Sequence, residues 1–175
     1  MRATVVLDTN AIAQMALRRY LLTLNERSQN FYPAWNSVLN ILYEAEQQLF
    51  AREGRTSEHS KWEKLSPRYA AWKAKHYPGM PILTLTSRFR GSMTDPSGQH
   101  TEFKQPRRLV WGSDYKVSGG HDLGGIHAEG RSPHMPAREP IRITQNNVDD
   151  MADVIVDYLL DFDLSRPRQA WEIGY

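Results

Sequence analysis

The chain has 175 residues, 22 Lys and Arg against 20 Asp and Glu, and no cysteine. That length supports one domain with a core of its own, and the missing cysteine excludes disulfide frameworks, thiolate metal sites and cysteine nucleophiles. Charge is unevenly spread: residues 1–60 carry 6 basic and 6 acidic side chains, residues 61–142 carry 14 and 7, and residues 143–175 carry 2 and 7. A basic middle and an acidic tail suit head-to-tail association of copies or a basic surface near nucleic acid, as well as two plain solvated faces.

The opening residues lack the shape of a signal peptide, because Asp8 interrupts a very short apolar run. No apolar stretch approaches the roughly 20 residues that span a bilayer, so the sequence reads as that of a soluble, cytosolic protein. Residues 3–7 are expected to form a short strand. Residues 11–24 are expected to form a helix with Ile12, Met15, Ala16, Arg19 and Leu22 near one face, and residues 25–34 a connection that ends around Pro33. The clearest helix is expected over 36–53, where Val38, Ile41, Leu42, Ala45 and Leu49 fall on one stripe and Gly54 supplies the stop. Residues 55–66 read as a polar, mobile link. Ser66 and Pro67 then open a short helix through Lys75, ended by Pro78, Gly79 and Pro81.

A further short helix is expected over 86–92, and Asp95-Pro96-Ser97-Gly98 reads as a turn. Two β-prone runs, 101–104 and 107–112, suggest a hairpin, with Pro106 limiting pairing at their junction. Residues 116–140 are rich in Gly, Pro and His and read as a long loop with one helical turn near 125–129. Residues 141–143 are expected as a last strand. Thr144 then caps a final helix with Asp149 and Asp150 near its positive end, and Val148, Met151, Ala152, Ile155 and Leu159 at helical spacing. The organisation expected is a single domain over 1–163 and an extended arm over 164–175. Trp171 and Tyr175 in that arm suggest docking on a neighbour. Helices and strands alternate without a βαβ rhythm, so the fold class is α+β: a small antiparallel sheet packed against two longer amphipathic helices, with long loops and the C-terminal arm.

Three catalytic or metal-binding readings can be weighed. Val5-Val6-Leu7-Asp8-Thr9-Asn10 looks like the opening of PIN-domain nucleases, in which a strand delivers an aspartate to a Mg²⁺ or Mn²⁺ site. Glu44 or Glu46 could supply a second carboxylate, but Asp95 lies in a turn and Asp114 in a polar loop, where that pattern needs ligands ahead of an apolar helix. His121, Asp122, His127 and His134 share one loop, yet their spacing matches no common zinc pattern. No phosphate-cradling glycine motif and no nucleophile elbow around Ser113 is present. Arg107, Arg108 and the Trp62, Trp72 and Trp111 set could contact nucleic acid, although core packing or an interface is the plainer role for the tryptophans.

Read in order, the middle of the chain carries five blocks: Trp62 to Lys75 (with Leu65-Ser66-Pro67 and Tyr69-Ala70), Ile82 to Ser92, Val110 to Tyr115, Ile126 to Gly130, and Met135 to Pro140. This series resembles the phage tail-completion family that includes the virion morphogenesis protein of Mu-like phages, over roughly residues 35–160. Five ordered blocks are far more specific than any single motif. The N-terminal strand and helix also look like that family's opening. Ser87 stands where the family usually has glycine, and Phe89 where it has leucine. Glu139 is inserted between the Arg and Pro of the last block, and 116–123 lacks the family's tyrosine-alanine step.

The resemblance implies a structural virion component of the head–tail neck, with no enzymatic activity and no cofactor. It would assemble with itself as a ring, most often six-fold, around the DNA channel, beside tail-tube and head-connector proteins, in particles built in the host cytoplasm. It marks Trp62, Leu65, Pro67, Tyr69, Leu83, Arg88, Phe89, Trp111, His127, Gly130, Met135, Pro136 and Arg138 as fold or interface positions. Core packing is the preferred role for Trp62, Leu65, Tyr69 and Leu83, and a structural hydrogen bond or an inter-subunit contact for His127 and Arg138. Trp171 is expected at an interface. Arg107 and Arg108 are the candidates to face DNA, where sequence-independent attraction to phosphate is enough. A PIN-type ribonuclease using Asp8 is the alternative.

Overall fold

The computed structural model of the chain describes residues 9–98, 100–130 and 135–160. The expected strand over 3–7, Asp8 and the expected arm over 164–175 lie outside them. The described elements are α1 (Thr9–Ser28), a 3₁₀ turn (Tyr32–Ala34), α2 (Trp35–Ala51), α3 (Pro67–His76), α4 (Arg88–Thr94), β1 (Thr101–Gln105), β2 (Arg108–Gly112), α5 (Leu123–Glu129) and α6 (Gln145–Leu160). The class is α+β.

Helix α2 is the hub. It packs against α4 and α6, and the hairpin lies along it: Trp35 Nε1 donates to Gln105 O (2.7 Å), Lys104 Nζ to Asn36 Oδ1 (2.8 Å), and the Tyr43 ring meets Trp111 edge-on at 5.7 Å. The hairpin is antiparallel, with Thr101 opposite Gly112 and Gln105 opposite Arg108, so Pro106 and Arg107 form its turn. Proline's missing N–H is harmless there, outside the ladder. Because α2 is covered from several sides, its most buried residues are Val38, Leu39, Tyr43, Glu46, Leu49 and Phe50. The sequence stripe caught Val38 and Leu49, but Ile41, Leu42 and Ala45 are only half-buried. The deepest line runs through Tyr43 and Glu46, which a purely apolar pattern skips.

The core joins Leu49 and Phe50 of α2 to Trp62, and to Phe89 and Met93 of α4. Gly54 ends α2 at φ +87, its N–H bonded to Leu49 O (2.8 Å), and a Cβ there would lie 2.5 Å from the Trp62 ring. Only glycine meets both demands. The 55–66 link, expected to be mobile, is without regular structure but anchored: Trp62 N–H donates to Glu53 O (2.8 Å), and Arg142 Nη1 donates to Gly54 O (2.8 Å) and Ser60 O (2.7 Å).

Several boundaries differ from expectation. The 141–143 strand is not formed; this stretch has no ladder partner among the described residues, and Arg142 spends its donors on the 55–66 link instead. The 116–140 loop contains a full helix, α5, because the Asp122 carboxylate caps it by accepting from Gly124 and Gly125 N–H at 3.0 and 3.1 Å. Ser66 and Pro67 open α3 as expected, Ser66 Oγ accepting from Tyr69 N–H at 3.4 Å.

Thr144 caps α6 through a reciprocal pair: its Oγ1 accepts from Asn147 N–H (3.3 Å), and Asn147 Oδ1 accepts from Thr144 N–H (3.0 Å). Asp149 and Asp150 fall beyond the first turn, and Asp149 accepts from Gln145 Nε2 instead. Helix α6 packs on α2 and α1, yet Val148 and Ala152 from its expected buried stripe are exposed. Helix α1 is longer than expected and mostly solvent-facing: Ile12, Met15, Leu17, Leu21 and Leu22 are all at least half exposed. It meets α6 through Arg27, whose Nη1 donates to Tyr158 O and whose guanidinium lies over the Tyr158 ring.

Candidate functional site

The five sequence blocks converge on one cavity of about 570 Å³. The first contributes Leu65, Ser66, Tyr69 and Lys73 from the entry to α3 and its first turns. The second contributes Leu83, Ser87 and Phe89 from the turn into α4. Tyr115 follows β2, His127 belongs to α5, and Met135 and Arg138 come from the segment after it. Residues far apart in the chain are thus held around a mainly apolar space.

Two backbone strains shape this wall. Leu83 (φ +59) and Ser87 (φ +62) are both left-handed, a conformation that costs a side-chain-bearing residue about 1–2 kcal/mol. Ser87 occupies the position at which the resembled family has glycine, the residue that adopts this conformation without penalty. Gly130 ends α5 at φ +70, and a Cβ there would stand 2.6 Å from Ala137 N and 2.8 Å from Met135 O. The chain can fold back over α5 only because that side chain is absent.

Arg138 is the clasp. Only 3 % exposed, it donates through Nε to Glu63 O (2.7 Å) and through Nη2 to Lys64 O (2.9 Å), while its own N–H bonds His127 O (2.7 Å). Next to it the Glu139 carbonyl, from the inserted residue, accepts Trp62 Nε1–H at 2.8 Å. The last block is therefore pinned to the first by three side-chain N–H donations to backbone carbonyls. A long cation is suited to this, since its donors reach carbonyls that no regular element satisfies.

The cavity is cationic as well as apolar. Lys73, 5 % exposed, donates to Pro81 O, and burial lowers its pKa. His127 sits beside Arg138; burial first, and that guanidinium second, push its pKa down to about 4, so the ring is neutral at pH 7. Among the described residues its Nδ1 and the Thr84 Oγ1 are buried without a hydrogen-bond partner, an arrangement that ordinarily costs about 1–3 kcal/mol per group.

The singled-out residues do not all meet at the cavity. Trp62 is core. Tyr69, expected to be core, is 42 % exposed and stacks on Trp72 at 5.5 Å, because α3 presents its aromatic side outward. Leu65 and Leu83 are half-buried cavity walls; Pro67, Arg88 and Pro136 are exposed. Trp111 is half-buried against α2, and Arg107 and Arg108 are exposed at the hairpin turn. Trp171 lies outside the described residues. Lys73, Thr84 and Leu123 were not singled out; Lys73 carried a signal, since it ends the Tyr69-Ala70-x-x-Lys pattern of the first block.

The nuclease and zinc constellations do not assemble among the described residues. Glu46 is fully buried, and desolvation raises its pKa to about 8, so it is protonated at neutral pH. Glu44 and Asp114 are exposed on separate elements, and Asp95 accepts from Ser97 N–H and Oγ–H within its turn. Asp122 is occupied as a helix cap, while Asp8 and His134 lie outside the described residues. No group of three or more His, Asp or Glu placed to hold a metal occurs among the described residues, and none of their helices is long and apolar enough to cross a membrane.

The fold and its cavity define a small α+β protein whose motif residues build a scaffold around an apolar, cationic socket. The chain belongs to the phage virion morphogenesis family, whose sequence profile matches residues 12–160. That membership supports a structural or assembly role in the phage virion. No curated protein and no solved structure matches the chain.

Proposed function

We propose that the protein is a structural component of the phage head–tail neck, a tail-completion or head–tail joining protein that acts by assembly and not by catalysis. Copies form a closed ring, with six as the expected number, around the DNA channel and between the tail tube and the head connector. The ring is built in the host cytoplasm and retained in the virion neck.

The observation that carries this reading is the apolar surface left on two helices within the matched region. Helix α1 exposes Ile12, Met15, Leu17, Leu21 and Leu22, and α6 exposes Val148, Val156 and Leu160. Apolar surface of this kind, edged by charge, marks association sites. The outward Asp149, Asp153 and Asp157 of α6 suit a heterologous contact with the basic middle of the next copy. Arg107 and Arg108, free in solvent at the hairpin turn, suit a channel wall that attracts phosphate without reading sequence.

The test is electron microscopy of lysates from the parent phage with an early stop codon in this gene. Full heads beside unattached or overlong tails are the expected result. Normal infectious particles would overturn the reading.

A further inference from the structure

The outward face of α3 is left over once the scaffold is built. Tyr69, Trp72 and His76 form a row on it, Tyr69 stacked on Trp72 at 5.5 Å and Trp72 on His76 at 4.9 Å. Tyr69 and Trp72 are each 42 % exposed, and large aromatics are enriched at interfaces. Beside the row stand Arg68 and Lys75, both exposed and, among the described residues, in no ion pair. From Lys64 to Thr94 the chain has six Lys and Arg and no Asp or Glu. A basic, aromatic surface attracts either nucleic acid or an acidic protein face. The stack separates the two. Tyr69 and His76 lie one turn before and one turn after Trp72, so both faces of the indole are covered and its edge meets solvent. Base stacking needs an open ring face, whereas a protein groove can pack against an edge.

Helix α6 offers the acidic counterpart. It carries four Asp and no Lys or Arg, and among the described residues none of the four is in an ion pair. Val148, Ala152 and Val156 form an exposed apolar row, with Asp149, Asp153 and Asp157 in an exposed acidic row beside it. Ala152 leaves a notch between two valines, the kind of groove that a ridge on a second helix fills. The order of the rows also matches. On α3 a basic residue precedes an aromatic one (Arg68-Tyr69, Lys75-His76), and on α6 an apolar residue precedes an acidic one (Val148-Asp149, Ala152-Asp153, Val156-Asp157). Two right-handed helices with those orders, laid face to face and parallel, have their basic and acidic rows on the same side. Arg68 and Lys75 stand about 10 Å apart along their axis, and Asp149 and Asp157 about 12 Å. Both faces are exposed in the single chain, so a contact between them joins two copies.

We propose that the Tyr69–Trp72–His76 face of α3 docks on the Val148–Ala152–Val156 face of α6 in a second copy, with Trp72 at Ala152 and Arg68 and Lys75 toward the Asp row. Each copy gives one face to each neighbour, which is a heterologous contact. The inference rests on the ring reading above and adds to it the two faces that meet.

The test is complementation of the stop-codon phage by the full chain supplied in the host, read as plaque titre. Arg68→Glu with Lys75→Glu on α3, and Asp153→Lys with Asp157→Lys on α6, should each lower the titre roughly a hundredfold or more, because facing like charges oppose association. The chain with all four changes should recover to within about tenfold of the unmodified one. Ala152→Trp blocks the notch without changing charge and should lower the titre roughly tenfold or more. A titre indifferent to these changes, or lost without recovery in the four-change chain, would overturn the contact; loss without recovery, joined to weaker DNA binding by the purified α3 variant, would assign the face to DNA instead. A phage that needs no complementation removes the neck reading as well, whereas a titre that depends on the gene but not on these residues removes the contact alone.

Discussion

Two regions of the molecule are built on opposite terms. Around α2, α4 and the link, Leu49, Phe50, Trp62, Phe89 and Met93 are each no more than 5 % exposed and satisfy one another. On α1 and the outer face of α6, side chains of the same chemistry are half exposed or more. Burial contributes about 25 cal/mol per Å² of apolar surface wherever it occurs. The first region therefore gains this stabilisation within the monomer, whereas the second leaves much of its apolar surface in solvent. An assembly protein needs both: a body that folds before assembly and a surface that gains only on assembly.

The sharpest way to break this contrast is Trp62→Ala. It removes the core's largest ring and the bond to Glu139 O, and should cost about 3–5 kcal/mol in urea unfolding; a smaller loss would mean the core is not the stabilising half. Next is Glu46. Its carboxyl is neutral when folded, with a pKa near 8 against an ordinary 4.5, so folding at higher pH must take up a proton that the unfolded chain has released. The cost is absent below about pH 4.5 and grows as pH rises to about 8. Glu46→Gln should therefore stabilise by roughly 3 kcal/mol at pH 7 and by under about 1 kcal/mol at pH 5.

His127 acts with the opposite sign. Its folded pKa near 4 lies below the ordinary 6.5, so its contribution is whole above pH 6.5 and is lost as pH falls toward 4. The acid limb of stability should drop by up to about 3 kcal/mol, and His127→Gln should flatten it. A smaller gain, about 0.5–1 kcal/mol in the same unfolding assay, is expected from Ser87→Gly, which relieves a left-handed serine. Smallest for the monomer is Leu17→Ser with Leu21→Ser on α1, under about 0.5 kcal/mol at exposed sites. The same pair should abolish ring formation in sedimentation. If it unfolds the monomer instead, α1 belongs to the core and the contrast fails.

Local chemistry was legible in the sequence: the Ser66-Pro67 start of α3, the Gly54 stop, the Thr144 cap and the hairpin each depend on a few adjacent residues. The ordered blocks also pointed to the family. Other features depended on placement. The strand over 141–143 needed a partner that the fold does not supply, and Arg142 was drawn to the link. The buried face of α2 could not be read from apolar residues alone, because covering the helix on several sides buried Glu46 as deeply as Phe50.

For the candidate site, the sequence determined which residues recur in the family's order, but not that Leu65, Leu83, Tyr115, His127 and Arg138 would wall a single space. That convergence was decided by tertiary structure, through the left-handed turns at Leu83 and Ser87, the side-chain-free turn at Gly130, and the reach of Arg138 to the carbonyls of Glu63 and Lys64. The Arg138 bonds join segments distant in the chain, where no local pattern can carry the information. The same reason explains α1: its sequence shows apolar residues at helical spacing, and only the packed chain shows that they face outward.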